Sequence, residues 1–184
     1  MKRQLAVLVL LAITSLAQAE VESFSHNFNT LFTASPKKLT VTNTNHTGTT
    51  SDTSHDLVYS CSGTAEFAYE DISSVGYRKL SVSMPSTTAV VATTSAIEGL
   101  KRVEIMRMPV GNTENIQIQV SEYSDFRTII PNDTTIYYNT GVVEARFPRG
   151  TYYVRLVKTN GVKLFVTQMT YYTESCNCFR VVND

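Results

Sequence analysis

The segment NIQIQVS sets Ile116, Ile118 and Val120 in strict alternation with Gln117, Gln119 and Ser121. Side chains two residues apart share one face of an extended strand, so this stretch can bury an apolar face only as β-structure. The period recurs along the chain. KLSVSM sets Leu80, Val82 and Met84 against Ser81 and Ser83, and LKRVEIM sets Val103 and Ile105 against Arg102 and Glu104. VVEARF sets Val143, Ala145 and Phe147 against Glu144 and Arg146, and TYYVRLVK sets Tyr152, Val154 and Leu156 against Tyr153, Arg155 and Val157. No segment sustains helical spacing. Turn signals separate the runs at Pro85, Gly111-Asn112, Pro131-Asn132-Asp133, Pro148-Arg149-Gly150 and Asn160-Gly161, the last two reading as hairpins. Twenty-five threonines, ten tyrosines and eight phenylalanines suit such half-buried, pleated surfaces. The pattern predicts an all-β fold of about ten strands from Leu39 onward, in a two-sheet antiparallel β-sandwich of jelly-roll or immunoglobulin-like style.

The first residues read as a leader. Lys2 and Arg3 precede an apolar run from Leu5 to Ile13, and Ala17-Gln18-Ala19 supplies an A-x-A cleavage site before Glu20. Residues 1–19 are therefore expected to be a signal peptide and residues 20–184 one β-sandwich domain. The apolar run is shorter than the roughly 20 residues a membrane-spanning helix requires, and no later stretch approaches that length. The expected product is soluble, without a transmembrane span, and secreted or periplasmic. Without Lys2 and Arg3 the chain keeps fourteen basic residues against its sixteen acidic ones. That balance offers nucleic acid and anionic lipid no attraction.

Chemistry-bearing motifs are sparse. The polar stretch from Thr40 to Asp56 reads as a long exposed loop, and His46, Asp52, His55 and Asp56 within it match no metal-ligand spacing. No metal site and no cofactor is expected. All three histidines fall in the first third, and there is no GxSxG, HExxH, P-loop or dinucleotide fingerprint. Asp125 and Glu98 read as turn residues, and no catalytic residue is assigned. Asn45-His46-Thr47 and Asn132-Asp133-Thr134 are formal glycosylation triplets that arise readily in so threonine-rich a chain.

Three cysteines remain. In an extended segment the Cα atoms of Cys176 and Cys178 would stand about 6.5 to 7 Å apart, at the limit for a disulfide. A link from Cys61 to Cys178, or else to Cys176, is the easier oxidised arrangement. Three buried reduced thiols are the alternative.

The tyrosine pairs Tyr137-Tyr138, Tyr152-Tyr153 and Tyr171-Tyr172 are each expected to send one ring inward and one outward. Tyr153 and Arg155 then share a wet face, where a ring can stack on a sugar and a guanidinium can fork onto a carboxylate. They are the candidate ligand-binding residues.

The series LVYSCSGTAEF, KLSVSM, LKRVEIMRMP, NIQIQVSEYSDF, FPRGTYYVRLV and CNCF, across Leu57 to Phe179, resembles a small β-sandwich module associated with secreted bacterial polysaccharide-degrading proteins of the pectate-lyase type. A pectate lyase works on a long parallel β-helix, and this chain has no such repeat. The resemblance implies a glycan-associated accessory module and transfers no catalytic residue. The expected function is thus non-catalytic binding of carbohydrate, a pectin-like glycan in particular. A structural or protein-interaction sandwich that joins other cell-surface proteins through its sheet edges is the first alternative. A small hydrolase or lyase with an unrecognised site is the second.

Overall fold

The computed structural model describes residues 21–28, 38–41, 45–47, 57–72, 77–84, 89–108, 116–158 and 163–174. Twelve strands lie among them: β1 (Val21–Asn27), β2 (Lys38–Val41), β3 (Asn45–Thr47), β4 (Leu57–Ser62), β5 (Glu66–Ile72), β6 (Tyr77–Met84), β7 (Val90–Thr93), β8 (Ile97–Met108), β9 (Ile116–Ser121), β10 (Asp133–Tyr137), β11 (Val142–Lys158) and β12 (Leu164–Glu174). No helix among the described residues is long and apolar enough to cross a membrane.

The expected sandwich of two separate sheets is not what forms. All pairings belong to one antiparallel network whose main path of eight strands runs β2-β4-β7-β11-β8-β12-β1-β3, curled into a half-barrel. β9 and β10 pair with β11 off that path, and β6 joins β5 to β12. The reason is β11. Its first part pairs with β8 and β10, and its last part pairs with β7 and β9, so one backbone carries the ladder round the curl. Alternation in sequence reports a wet and a buried face, and both a sandwich and a curled sheet satisfy it.

The bend in β11 falls where a hairpin was expected. Pro148-Arg149-Gly150 lies inside the strand, in the gap between the β10 ladder, which ends at Arg146, and the β9 ladder, which starts at Tyr153. Proline lacks a ladder donor and is tolerated at such an interruption. A Cβ on Gly150 would overlap the ring of Tyr152, so any larger residue there must push that ring aside. On the neighbouring strand Gly99 adopts a φ of +67°, and a Cβ there would meet the carbonyl oxygen of Glu174 at 2.6 Å. Asn160-Gly161 lies outside the described residues, and the strands flanking it do not form a hairpin. β8 sits between β11 and β12 in the sheet.

The core fills the inside of the curl. Ile116, Ile118 and Val120, Val103 and Ile105, Val143, Ala145 and Phe147, and Tyr152, Val154 and Leu156 are all buried, as their alternation requires. Met84 is buried as well, while the side chains of Leu80 and Val82 lie outside the described residues. Two segments differ from expectation. β1 precedes the first foreseen strand, and β3 lies within the stretch read as a loop, its Asn45, His46 and Thr47 pairing with Ser25, Phe24 and Ser23 of β1.

Three aromatic groups tie the two arms of the curl together. His26 Nδ1 of β1 lies 2.6 Å from the Tyr59 hydroxyl of β4, and that hydroxyl lies 2.7 Å from the Tyr171 hydroxyl of β12. Tyr171 in turn donates to Met169 Sδ at 3.5 Å. A chain in which His26 Nδ1–H donates to Tyr59, Tyr59 to Tyr171 and Tyr171 to Met169 gives each of these hydrogens an acceptor. Burial first, and the neighbouring Tyr171 second, pushes the Tyr59 phenol well above its ordinary pKa. Burial likewise raises Tyr171.

Candidate ligand surface on the outer face of β11

The last third of β11 turns Tyr152, Val154 and Leu156 inward, which leaves Tyr153 and Arg155 half-buried on the outer face. The inter-strand register shows what lies beside them. Arg155 stands opposite Gln119 of β9 on one side and Ala92 of β7 on the other, and Ala92 stands opposite Ser60 of β4. Tyr153 stands opposite Ser121, whose side chain is buried and whose Oγ accepts the Tyr123 N–H at 3.1 Å.

The row is fixed by its own hydrogen bonds. Arg155 Nε donates to Gln119 Oε1 at 2.7 Å, and Gln119 Nε2 donates to Gln117 Oε1 at 3.0 Å. Each amide oxygen in the relay already accepts one hydrogen bond from its neighbour and keeps one lone pair. Among the described residues, the donors that stay available are the Gln117 amide N–H pair, one Gln119 N–H and the two Nη groups of Arg155. The surface therefore offers more donors than acceptors, held in place before any ligand arrives. The methyl of Ala92 beside Arg155 leaves the row low on that side.

A loop from Glu122 to Asn132 supports the row. Phe126 takes a φ of 55° and is buried, and the Arg155 guanidinium lies 4.4 Å from its ring centroid. Such a contact holds the cation by the ring's quadrupole. Burial lowers the Arg155 pKa from its ordinary value, which still leaves it a cation at neutral pH. Asp125 acts as the turn residue it resembled: its Oδ1 accepts the Arg127 N–H at 3.2 Å. Arg127 in turn covers the exposed ring of Tyr123 at 3.6 Å. The loop then folds back on β9, where Ile130 N donates to Val120 O at 2.9 Å and Asn132 Nδ2 to Ile118 O at 3.2 Å. These two bonds occupy outward carbonyls of β9 that another chain's strand would need.

Tyr152 is buried and Tyr153 half-buried, and Tyr171 is buried and Tyr172 half-buried, but Tyr137 and Tyr138 are both exposed at the end of β10, where the chain turns. Cys61 is buried in β4 opposite Val91, and Cys176 and Cys178 lie outside the described residues. His46 is in β3, and Asp52, His55 and Asp56 lie outside the described residues; among the described residues no group of three metal-ligating side chains converges. Gln117, Gln119, Ala92 and Phe126 were not singled out from the sequence. Alternation put both glutamines on a wet face, but nothing local reveals that β9 is the strand beside Arg155.

No family model, no curated protein and no solved structure matches the chain. The pectate-lyase-type resemblance therefore rests on the quoted motifs alone.

Proposed function

We propose that the protein is a secreted, non-catalytic accessory module that binds polysaccharide through the outer face of β9, β11 and β7. The observation that carries this reading is the relay from Arg155 through Gln119 to Gln117. Planar donors fixed side by side on a sheet suit a ligand rich in oxygen acceptors, because little side-chain freedom is lost on binding. The guanidinium adds a fork for a carboxylate. A pectin-like, uronate-bearing glycan combines hydroxyl and carboxylate acceptors. Export through the leader of residues 1–19 belongs to the same reading, as does the link from Cys61 to Cys178 or Cys176, which non-reducing peptide mapping tests. Against sheet-edge assembly through β9, the returning loop already occupies the carbonyls of Ile118 and Val120.

Affinity electrophoresis of the mature protein through polygalacturonate tests the reading. Retention of the wild type, lost in the Gln119→Leu, Arg155→Ala double variant without a change in melting temperature, is the expected result. Equal migration of the two proteins in that gel contradicts it.

A further inference from the structure

The outer face of the other arm can be laid out row by row from the pairing of β12, β8, β11 and β10. Tyr172, Arg102, Arg146 and Asp133 form one row, and Thr170, Glu104, Glu144 and Thr135 form the next. Like charges thus stand directly opposite each other, Glu104 against Glu144 and Arg102 against Arg146, an arrangement unfavourable in isolation. Contacts between the rows relieve it. Arg102 Nη1 lies 3.4 Å from Glu144 Oε2 and 3.5 Å from Glu104 Oε1, and Arg146 Nε donates to Glu144 Oε1. Tyr172 donates to Glu104 at 2.9 Å, and the Arg102 guanidinium lies 3.4 Å over the Tyr172 ring.

This network is balanced in charge but not in exposure. The Glu144 side chain is 7% exposed and that of its partner Arg146 63%. Burial is the largest single influence and pushes the Glu144 carboxyl up, but the hydrogen bonds with Arg146 and Glu104 and the charges of Arg146 and Arg102 together outweigh it and hold the group below the usual carboxylate range. Within the Arg146–Glu144 pair the acid lies covered and a ligand meets the base, whereas Glu104 is as exposed as Arg102. A concavity of about 360 Å³ is lined by Val21, Lys101, Arg102, Arg146, Phe147 and Tyr172, three cations and two rings with no carboxylate among them. Lys101 is steadied from the side by Glu174 at 3.2 Å.

The concavity does not end there. A second one, of about 490 Å³, shares Arg146 and Phe147 with it and is lined by Asn132 and by Asp133, a carboxylate that stands opposite Arg146 in the register of β10 and β11. A third, of about 450 Å³, shares Asn132 and reaches Gln117 and Gln119. From Tyr172 to Asp133 alone the path crosses three inter-strand spacings, about 14 Å. It then continues round the seam between β10 and β9 to the donor relay.

We propose that these joined concavities form one cleft for an extended carboxylated glycan chain, in which Arg146 and Lys101 hold carboxylates at the end opposite Arg155. The proposal rests on the polysaccharide-binding reading and adds a polymer length and a second anionic contact to it. Arg146 is suited to the role because only its Nε is used by Glu144, which leaves both Nη groups to fork onto a carboxylate.

Calorimetric titration with short and long oligogalacturonides, and with dextran sulfate, tests it. The wild type should bind the long chain more tightly than the short one and more tightly than the sulfated chain. Arg146→Gln should weaken the long chain by about tenfold, as loss of one charge-assisted contact implies, and leave the short chain unchanged. Arg146→Lys should recover part of the loss, and Lys101→Gln should reproduce it in a variant that leaves Glu144 paired. Long-chain binding unchanged in both Arg146→Gln and Lys101→Gln overturns the cleft, while dextran sulfate bound as tightly as the uronate overturns its carboxylate assignment. Long-chain binding that survives Gln119→Leu, Arg155→Ala but fails in Arg146→Gln overturns the relay surface instead. A wild type that binds no chain overturns both.

Discussion

Tyr59 and Tyr171, 112 residues apart in the chain, share a hydroxyl-to-hydroxyl hydrogen bond of 2.7 Å in the core. With His26 on the far side of Tyr59, this contact closes the curl, because β4 belongs to one arm of the sheet and β1 and β12 to the other. Tyr59→Phe removes a group that serves both neighbours at once. It should destabilise the fold by about 2 to 4 kcal/mol, the consequence of leaving buried polar groups short of a partner. Tyr171→Phe keeps the His26 to Tyr59 bond and should cost less. Urea unfolding of both variants checks the order, and a loss below about 0.5 kcal/mol for Tyr59→Phe would show that the network does not join the arms.

The same pair sets an alkaline limit. Burial raises both phenols above the value of about 10 that they regain on unfolding. A raised folded pKa gives stability that is complete below the unfolded value and is lost as pH climbs through the window above it. Stability should therefore be flat below about pH 9 as far as these groups are concerned, and should fall beyond pH 10. Tyr59→Phe should make that fall shallower. Absorbance titration should find two phenols that ionise only as the fold is lost.

How much of this was legible in the sequence follows from the range of the signals. Period-two alternation acts within one strand, so it placed Ile116, Val103, Val154 and their neighbours correctly. It also turned Tyr153 and Arg155 outward. Alternation carries no information on which strands adjoin, so the long continuous β11 and the Gln119 partner of Arg155 stayed hidden. β1 escaped notice because its inward set is Glu22, Phe24 and His26, two of them ionisable. Arg107 and Lys158 likewise point inward and are buried, where an apolar period expects no charge. Pro148-Arg149-Gly150 is a true bend signal, but the same residues serve a hairpin and a corner in a single strand.

Gly150 is the residue on which that corner depends. Gly150→Ala would bring a methyl onto the Tyr152 ring, which is itself buried against Phe147 with ring centroids 5.5 Å apart. A loss of about 1 to 3 kcal/mol is expected, typical of overpacking at a closed site. Gly150→Ala with Tyr152→Leu should recover part of it, and thermal unfolding of the single and double variants measures both. A Gly150→Ala protein as stable as the wild type would place the corner elsewhere.

Asn132→Ala frees the Ile118 carbonyl and removes the acceptor of the Thr134 hydroxyl, now bonded at 2.8 Å. The expected loss is about 1 kcal/mol, the net contribution of a half-exposed hydrogen bond. Hydrogen exchange should quicken at Ile130 and in β9 while β8 and β12 stay protected. Uniform protection in the variant would mean that the loop is held by its apolar contacts alone.

On the proposed reading a glycan meets the fixed donors of Gln117, Gln119 and Arg155. The most direct measurement is a titration of the ¹⁵N-labelled mature protein with oligogalacturonide, following the side-chain amide signals of the two glutamines and the Nε–H of Arg155. These three signals should shift together and saturably, with those of Gln168 and Arg127 unmoved. Saturable binding that leaves the three signals in place, or no binding at all, would contradict it.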